Sequence, residues 1–286
     1  MWSCFSAIVC YLCSRELRKK LLCMKEIATV AELRSIQLAL LDHITAYYDA
    51  QGIVYFLSCG SLIGALRHKG YIPWDDDIDL FMPRESYNRL LAAYRDPDPR
   101  YALLAPGRAQ HYLYTYAKVI DRRTLVVEDE VPGYELGVYV DIFPLDYVTD
   151  CHWLRRHVVW KYKKHIYRMR RCKMQSNFLA SRWHYLLYRY FPLPLRAIDA
   201  IIGHTLTGRK PTGTVCNMTE ANVLERECFP AHCIEGERVE VEFEGKHYKT
   251  MPGYDEYLRH LYGDYMQLPP VEERVHHHFA AYWRDA

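Results

Sequence analysis

The 286-residue chain is half hydrophobic and a quarter charged, with 14 Gly and 14 Pro, which is the composition of a folded globular protein and excludes collagen-like or disordered classes. Its formal charge is only +2, and its ten cysteines (positions 4, 10, 13, 23, 59, 151, 172, 216, 228 and 233) lack the dense spacing of a disulfide-stapled secreted domain, so a reducing, cytoplasmic setting is expected. Cys10-x-x-Cys13 and the group Cys228, His232, Cys233 have no second pair to complete a zinc finger, and a structural zinc is not expected.

Met1 to Cys13 is apolar but too short to span a bilayer, and its basic residues follow the apolar run where a secretory signal would place them before it. Residues 1–24 are therefore read as an extension ahead of the folded domain. From Thr29 to Gln51, Val30, Leu33, Ile36, Leu40, Leu41 and Ile44 recur at three-to-four spacing and predict an amphipathic helix stopped by Gly52. Ile53–Leu57 predicts a strand, Ser58–Ser61 a tight turn and Leu62–Arg67 a helix. A strand is predicted at Asp77–Met82, a helix at Arg84–Tyr94 behind Pro83, and further strands at Tyr114–Ile120 and Val138–Phe143.

Beyond Asp150 the character changes, because residues 151–198 hold 12 Lys/Arg and no Asp or Glu. This helical segment is strongly basic within a nearly neutral chain, so charge is segregated. Pro192 and Pro194 break it before a helix at Leu195–Leu206. Arg238–Phe243 and His247–Thr250 predict a hairpin through Glu244-Gly245-Lys246, and Tyr254–Tyr262 predicts a late helix. His276-His277-His278 reads as native sequence.

The densest chemical signal is Trp74-Asp75-Asp76-Asp77-Ile78-Asp79-Leu80, with four carboxylates in five positions. Such crowding raises the cost of ionisation unless a cation compensates it. Acidic runs ordinarily form solvated loops, but the alternation Asp-Ile-Asp-Leu sends Ile78 and Leu80 to the core and Asp77 and Asp79 to one face, as two ligands of a hard divalent cation require. Upstream, Gly60-Ser61 at a helix start offers backbone N–H groups and the positive end of the helix dipole to a phosphate.

Helix, strand, Gly-Ser, helix and a strand bearing Asp-hydrophobic-Asp together resemble the nucleotidyltransferase superfamily. Within it, Tyr55 to Asp79 (YFLSCGSLIGALRHKGYIPWDDDID) resembles the core motif of the LicD family, which includes bacterial phosphocholine transferases and fukutin-type relatives. The likeness continues in Met82-Pro83-Arg84, Lys118–Asp121, Val140–Asp146, Tyr254–Leu258 and Leu261–Met266 with Pro269, so it runs from about residue 30 to 275. It departs at Cys59 and Ser61, where Gly and Thr are usual; Ser61 keeps a hydroxyl, whereas Cys59 adds bulk beside the turn.

This resemblance implies an α/β (α+β) fold: a nucleotidyltransferase-like mixed-sheet core at 25–150, a basic helical insertion at 151–212, and a C-terminal segment at 213–286 that packs on the core. It implies Asp77, Asp79 and Asp141 as catalytic and metal-binding carboxylates for Mg²⁺ or Mn²⁺, with Asp141 the third ligand or the acceptor of a proton. Gly60, Ser61, Arg67, Lys118 and Arg84 are candidates for donor phosphate contacts, and Asp75 and Asp76 for supporting the ligands. The implied activity is transfer of phosphocholine from CDP-choline to a cell-surface glycan or glycolipid precursor. A quaternary ammonium would sit on aromatic faces, with Trp74 and Tyr139 as candidates.

Arg155, Arg156, Lys161, Lys163, Lys164, Arg168, Arg170, Arg171 and Lys173 could meet a lipid-linked glycan or the cytoplasmic membrane face. No nucleic-acid motif accompanies them, and no nucleic-acid partner is expected. Three other readings stay open from sequence: transfer of an alditol phosphate from a CDP donor, nucleotidyl transfer with pyrophosphate release, and a glycan- or nucleotide-binding protein without turnover.

Overall fold

The computed structural model describes residues 24–96, 98–109, 112–127, 136–174, 181–204, 211–219, 224–274 and 280–284. Residues 1–23, with Cys10-x-x-Cys13, and the His276–His278 run lie outside the described residues. A two-residue strand β1 (Lys25–Glu26) leads to helix α1 (Val30–Ala50), which starts where Thr29 accepts a hydrogen bond from the Glu32 N–H at 3.1 Å. Leu40, Leu41, Ile44 and Tyr48 of its apolar stripe are fully buried while Val30 at its start is exposed, and Gly52 turns the chain away with a φ of 62°.

The fold is mixed α/β. Its main sheet runs in the order β2 (Phe56–Leu57), β3 (Asp79–Pro83), β7 (Val138–Val148), β5 (Ala117–Asp121), β4 (Tyr101–Leu104). β3 and β7 are parallel; the other neighbours on this path are antiparallel. The second half of β7 also pairs with β8 (Thr214–Asn217), which in turn pairs with β9 (Cys228–Pro230). A small antiparallel sheet joins β1, β12 (Ala280–Trp283) and β6 (Thr124–Val127), and buries Ile27, Val126 and Ala281 beneath α1.

Helices α2 (Cys59–His68) and α3 (Arg84–Ala93) pack on the core sheet around β3. After β7 come a short turn at His152–Leu154, a π-helical stretch at Arg155–Val159, and helices α4 (Trp160–Met174), α5 (Arg182–Tyr190) and α6 (Leu195–His204). α5 and α6 are separated at Pro192 and Pro194, as the missing proline N–H groups require. The neck of this segment is clasped. Asp150 accepts from the Gly213 N–H at 3.1 Å and the Thr214 hydroxyl at 2.8 Å, while Thr212 donates to the Val148 carbonyl at 2.6 Å. The remaining elements are the short helix α7 (Leu224–Glu227), the hairpin β10 (Val239–Phe243) and β11 (Lys246–Thr250), and α8 (Tyr254–Tyr262). The hairpin turns through Glu244 and Gly245, both with positive φ, which suits a two-residue loop.

Several boundaries differ from the sequence reading, each for a tertiary reason. The strand expected at Asp77–Met82 begins at Asp79, so Asp77 stands in the loop before it. The strand expected from Ile53 shortens to Phe56–Leu57, because the Ile53 N–H still closes onto the Tyr48 carbonyl and the Val54 N–H goes to the Ser86 hydroxyl. The strand expected at Tyr114–Ile120 spans Ala117–Asp121, and that at Val138–Phe143 extends to Val148 because β8 gives it a second partner. The helix expected from Leu62 starts at Cys59, which places Gly60 and Ser61 in its first turn instead of in a turn before it.

Candidate active site

Between Lys69 and Asp79 the chain has no regular ladder, so side chains from elsewhere must satisfy its backbone. Gln37 on α1 donates to the Asp76 carbonyl at 2.7 Å and accepts from the Tyr71 hydroxyl at 3.2 Å. Arg34, one turn earlier, donates to the Ile72 carbonyl at 3.1 Å and the Asp75 carbonyl at 2.9 Å. From the hairpin turn, Glu244 accepts from the Tyr71 N–H at 3.1 Å and donates its own N–H to the Lys69 carbonyl at 2.8 Å. Ser61 completes the frame: its buried hydroxyl accepts from the Asp79 N–H at 3.0 Å and donates to the Asp77 carbonyl at 3.5 Å. That hydroxyl, expected to hold phosphate, fixes the acidic motif instead.

Gly60 and Gly64 make the approach of α2 possible. A Cβ at Gly60 would meet the Asp75 carboxylate at 2.4 Å, and one at Gly64 would meet the Gly70 carbonyl oxygen at 2.3 Å. The second neighbour is backbone and cannot step aside, so Gly64 is required by space alone. Cys59 opens the helix at a φ of 48°, a left-handed conformation in which L residues are disfavoured. Its N–H donates to the Tyr257 hydroxyl at 3.2 Å, so one of the helix-start donors is already used.

The resulting cleft, about 770 Å³, is lined on one side by Gly60, Arg67, Trp74, Asp75, Asp77 and Asp79 and on the other by Tyr262, Asp264, Tyr265 and Gln267. Ile78 and Leu80, expected inward, are fully buried behind the acids. Burial, then the charges of Asp77, Asp141 and Asp75, push the Asp79 carboxyl well above its ordinary range, with Lys118 opposing. Burial and the Asp77 carboxylate push Asp75 up to about 8. These carboxylates repel one another at a shared cleft, and hard oxygen donors so arranged suit Mg²⁺ or Mn²⁺ better than a soft metal.

Asp141 lies beside Asp79 in the parallel β3–β7 register, and its N–H donates to the Ile78 carbonyl at 2.9 Å. Lys118, across from it on β5, holds its carboxylate at 2.6 Å; the lysine is 1% exposed and its ammonium lies 3.4 Å from the Tyr139 ring centre. Lys118 therefore serves Asp141 and does not line the cleft as a phosphate contact. Tyr139, whose ring face receives that ammonium, is not placed to cradle a choline. Trp74 lines the cleft, and the Arg274 guanidinium sits 4.6 Å from its ring centre, so one face of the ring carries a cation.

These residues can be set against known proteins. Residues 52–179 match the LicD/FKTN/FKRP nucleotidyltransferase domain. Over 270 residues the chain is 30% identical to the lipopolysaccharide cholinephosphotransferase LicD of Haemophilus influenzae, a likeness covering 87% of this chain and 96% of that protein. The chain belongs to the LicD family. It is also similar to the ribitol 5-phosphate transferase FKRP of Homo sapiens and of Mus musculus, 47% identical over 38 residues in each case, which is 13% of this chain and 8% of those proteins.

Within this LicD-family chain, the expected site residues separate into two groups. Asp77, Asp79, Gly60 and Arg67 line the cleft, and Asp141 stands beside Asp79 on the next strand. Arg84 does not join them: its guanidinium makes two bonds, 2.6 and 2.7 Å, to the buried Asp146 carboxylate, which pins α3 to β7. Asp76 also turns away, buried near Arg34 at 4.0 Å. The Tyr262–Pro270 wall was given no role from sequence, although its motif belongs to the family likeness; Arg67 ties it down by donating to the Tyr265 carbonyl at 2.8 Å and the Gln267 carbonyl at 3.1 Å. Of the cysteine group considered for zinc, His232 and Cys233 gather with Glu256, while the Cys228 thiol meets Cys216.

Proposed function

We propose that this LicD-family phosphotransferase moves phosphocholine from CDP-choline onto a glycan or glycolipid precursor. The observation that carries the reading is the cleft itself, which sets the Asp77 and Asp79 carboxylates and the Arg67 guanidinium alongside the aromatic rings of Trp74 and Tyr262. A donor whose central diphosphate carries a nucleoside on one side and a quaternary ammonium on the other matches that pairing of an anionic, metal-attracting wall with aromatic rings. The 30% identity to a lipopolysaccharide cholinephosphotransferase over nearly its whole length supports the same donor.

Asp77 and Asp79 would hold Mg²⁺ or Mn²⁺, with Asp141 as the third carboxylate, and such an ion neutralises diphosphate charge and makes CMP a better leaving group. The protein's own contributions follow from its geometry. Asp141 is held at 2.6 Å by Lys118, so its carboxylate is fixed in place beside Asp79. Arg67 faces the cleft with its guanidinium braced by two carbonyls, so its position is set before donor arrives. In the transfer, an acceptor hydroxyl oxygen bonds to the phosphocholine phosphorus, the bond from that phosphorus to the CMP oxygen breaks, and the hydroxyl proton passes to solvent or a cleft carboxylate.

The short, strong likeness to FKRP makes CDP-ribitol the competing donor. The test is incubation of the purified chain with CDP-choline, CDP-ribitol or nucleoside triphosphates and Mg²⁺ or Mn²⁺, with products read by mass spectrometry. CMP from CDP-choline, lost in Asp77→Asn/Asp79→Asn, is expected. CMP from CDP-ribitol alone would replace the cargo, pyrophosphate would mean nucleotidyl transfer, and tight nucleotide binding without turnover would mean a binding protein.

A further inference from the structure

Helix α5 (Arg182–Tyr190) has no buried residue at all, although it packs on α4. Its large apolar side chains point outward: Trp183 is 76% exposed, Leu187 55%, Tyr190 76% and Leu186 36%. Their spacing of i, i+3, i+4 and i+7 places them within about 100° of arc, a continuous stripe. The opposite side carries the half-buried Tyr185 and Tyr188, and Tyr188 packs against the cluster of Ile166, Met169, Ile198 and Ile202. Tyr188 thus anchors the helix to the protein while its most hydrophobic side is displayed. A soluble surface helix normally does the reverse.

The charge of the segment that carries this stripe points to its partner. Residues 151–198 contain no Asp or Glu. Of the nine basic residues proposed there as an anionic contact, Lys163 and Arg170 are buried, with Arg170 spent on Asp199 and on the Tyr112 and Leu113 carbonyls, while Arg155, Arg168, Arg171 and Lys173 are half-buried, with Arg155 and Lys173 donating to backbone carbonyls. Arg156, Lys161, Lys164 and Arg182 stay exposed, and Trp153 among them is 64% exposed. An apolar helix face bearing Trp and Tyr, on a segment with exposed cations and no Asp or Glu, has the composition of an interfacial helix on an anionic bilayer. No described helix is long and apolar enough to cross a membrane.

We infer that α5 is a peripheral membrane-docking helix, which inserts Trp183, Leu186, Leu187 and Tyr190 into the headgroup layer of an anionic lipid surface while Arg156, Lys161, Lys164 and Arg182 meet lipid phosphates. This extends the reading of a lipid-linked acceptor, but binding is read without any donor, so either idea can fail alone. The experiment is flotation of the full chain with phosphatidylcholine vesicles with and without phosphatidylglycerol, alongside tryptophan emission and light scattering. Flotation only with the anionic vesicles, with a blue shift and weakening in high salt, is expected. Trp183→Ser/Leu187→Ser should lower the affinity about tenfold or more, as removal of two inserted apolar groups implies. Lys161→Glu/Lys164→Glu, an exchange of exposed side chains, should weaken binding too. Absence of flotation, or equal flotation by both variants, would overturn the inference. So would a wild-type dimer that Trp183→Ser/Leu187→Ser converts to monomer, because the stripe would then be a self-association surface.

Discussion

Arg84 and Trp74 show how a single side chain's role follows from what it touches. The two bonds from Arg84 to Asp146 are shielded by protein, so removing the arginine strands a buried carboxylate. Arg84→Ala is therefore expected to cost about 3–5 kcal/mol of stability, measured by denaturant unfolding, with little change in donor KM in the fraction that stays folded. A large KM effect with unchanged stability would return Arg84 to the donor site. Trp74 has the opposite profile. It lines the cleft, so Trp74→Leu should raise KM for CDP-choline roughly 5- to 30-fold, the equivalent of about 1–2 kcal/mol of cation–π attraction, and lower stability by only about 1 kcal/mol through the lost contact with Arg274. Gly64→Ala should destabilise by about 1–3 kcal/mol, since the added methyl meets a backbone carbonyl at 2.3 Å.

At the scale of elements, the acidic loop is the part under electrostatic strain. Asp75 holds its proton up to about 8, against an ordinary value of 3.8. Above pH 4 the unfolded chain releases that proton while the folded chain keeps it, so the folded state binds more protons and stability falls as pH rises from about 4 to 8. Asp79 is shifted in the same direction and adds to the slope. The metal-free protein should accordingly show a melting temperature that declines between pH 5 and 8 by calorimetry, a decline that Asp75→Asn makes shallower. A melting temperature that rises over this window would contradict the assigned crowding.

The same loop marks where sequence reading succeeds and where it stops. Helix Val30–Ala50, the hairpin around Glu244-Gly245 and helix Tyr254–Tyr262 are local objects: a hydrophobic period, a cap or a glycine turn states each of them, and each lies within a residue or two of its expected place. The pairing of Asp-Ile-Asp-Leu into cleft and core was legible for the same reason. The position of Asp77 outside the strand was not, because Gln37, Arg34 and Glu244 hold that loop from distant points of the chain, and no window of sequence contains those bonds. Arg84 was misassigned because its partner lies 62 residues away. Lys118 was misassigned because only the β5–β7 register reveals that it faces Asp141.

For the molecule as a whole, metal binding and folding should be coupled, since an ion held only by the folded cleft stabilises that state. Mg²⁺ or Mn²⁺ at about a hundred times its dissociation constant should add roughly 2.7 kcal/mol of stability, and Asp77→Asn/Asp79→Asn should abolish the increment in a thermal melt. A gain that persists in the variant would place the ion elsewhere, with His232, Cys233 and Glu256 as the next site to test.

The clasp at the base of the basic helices has a consequence for how such a protein can diversify. The chain leaves the sheet at Val148 and re-enters it at Thr214, two residues that face each other in the β7–β8 register, and Asp150 and Thr212 tie the crossing shut. Between them the segment touches the core again at two points, where Arg170 donates to the Tyr112 and Leu113 carbonyls and Tyr167 to the Met218 carbonyl. Lengthening, shortening or exchanging the helices beyond those contacts should leave strand order and the register of Asp141 against Asp79 as they are. A lineage built on this plan is thus free to re-tailor where the enzyme works, and on which surface, independently of the chemistry that it performs.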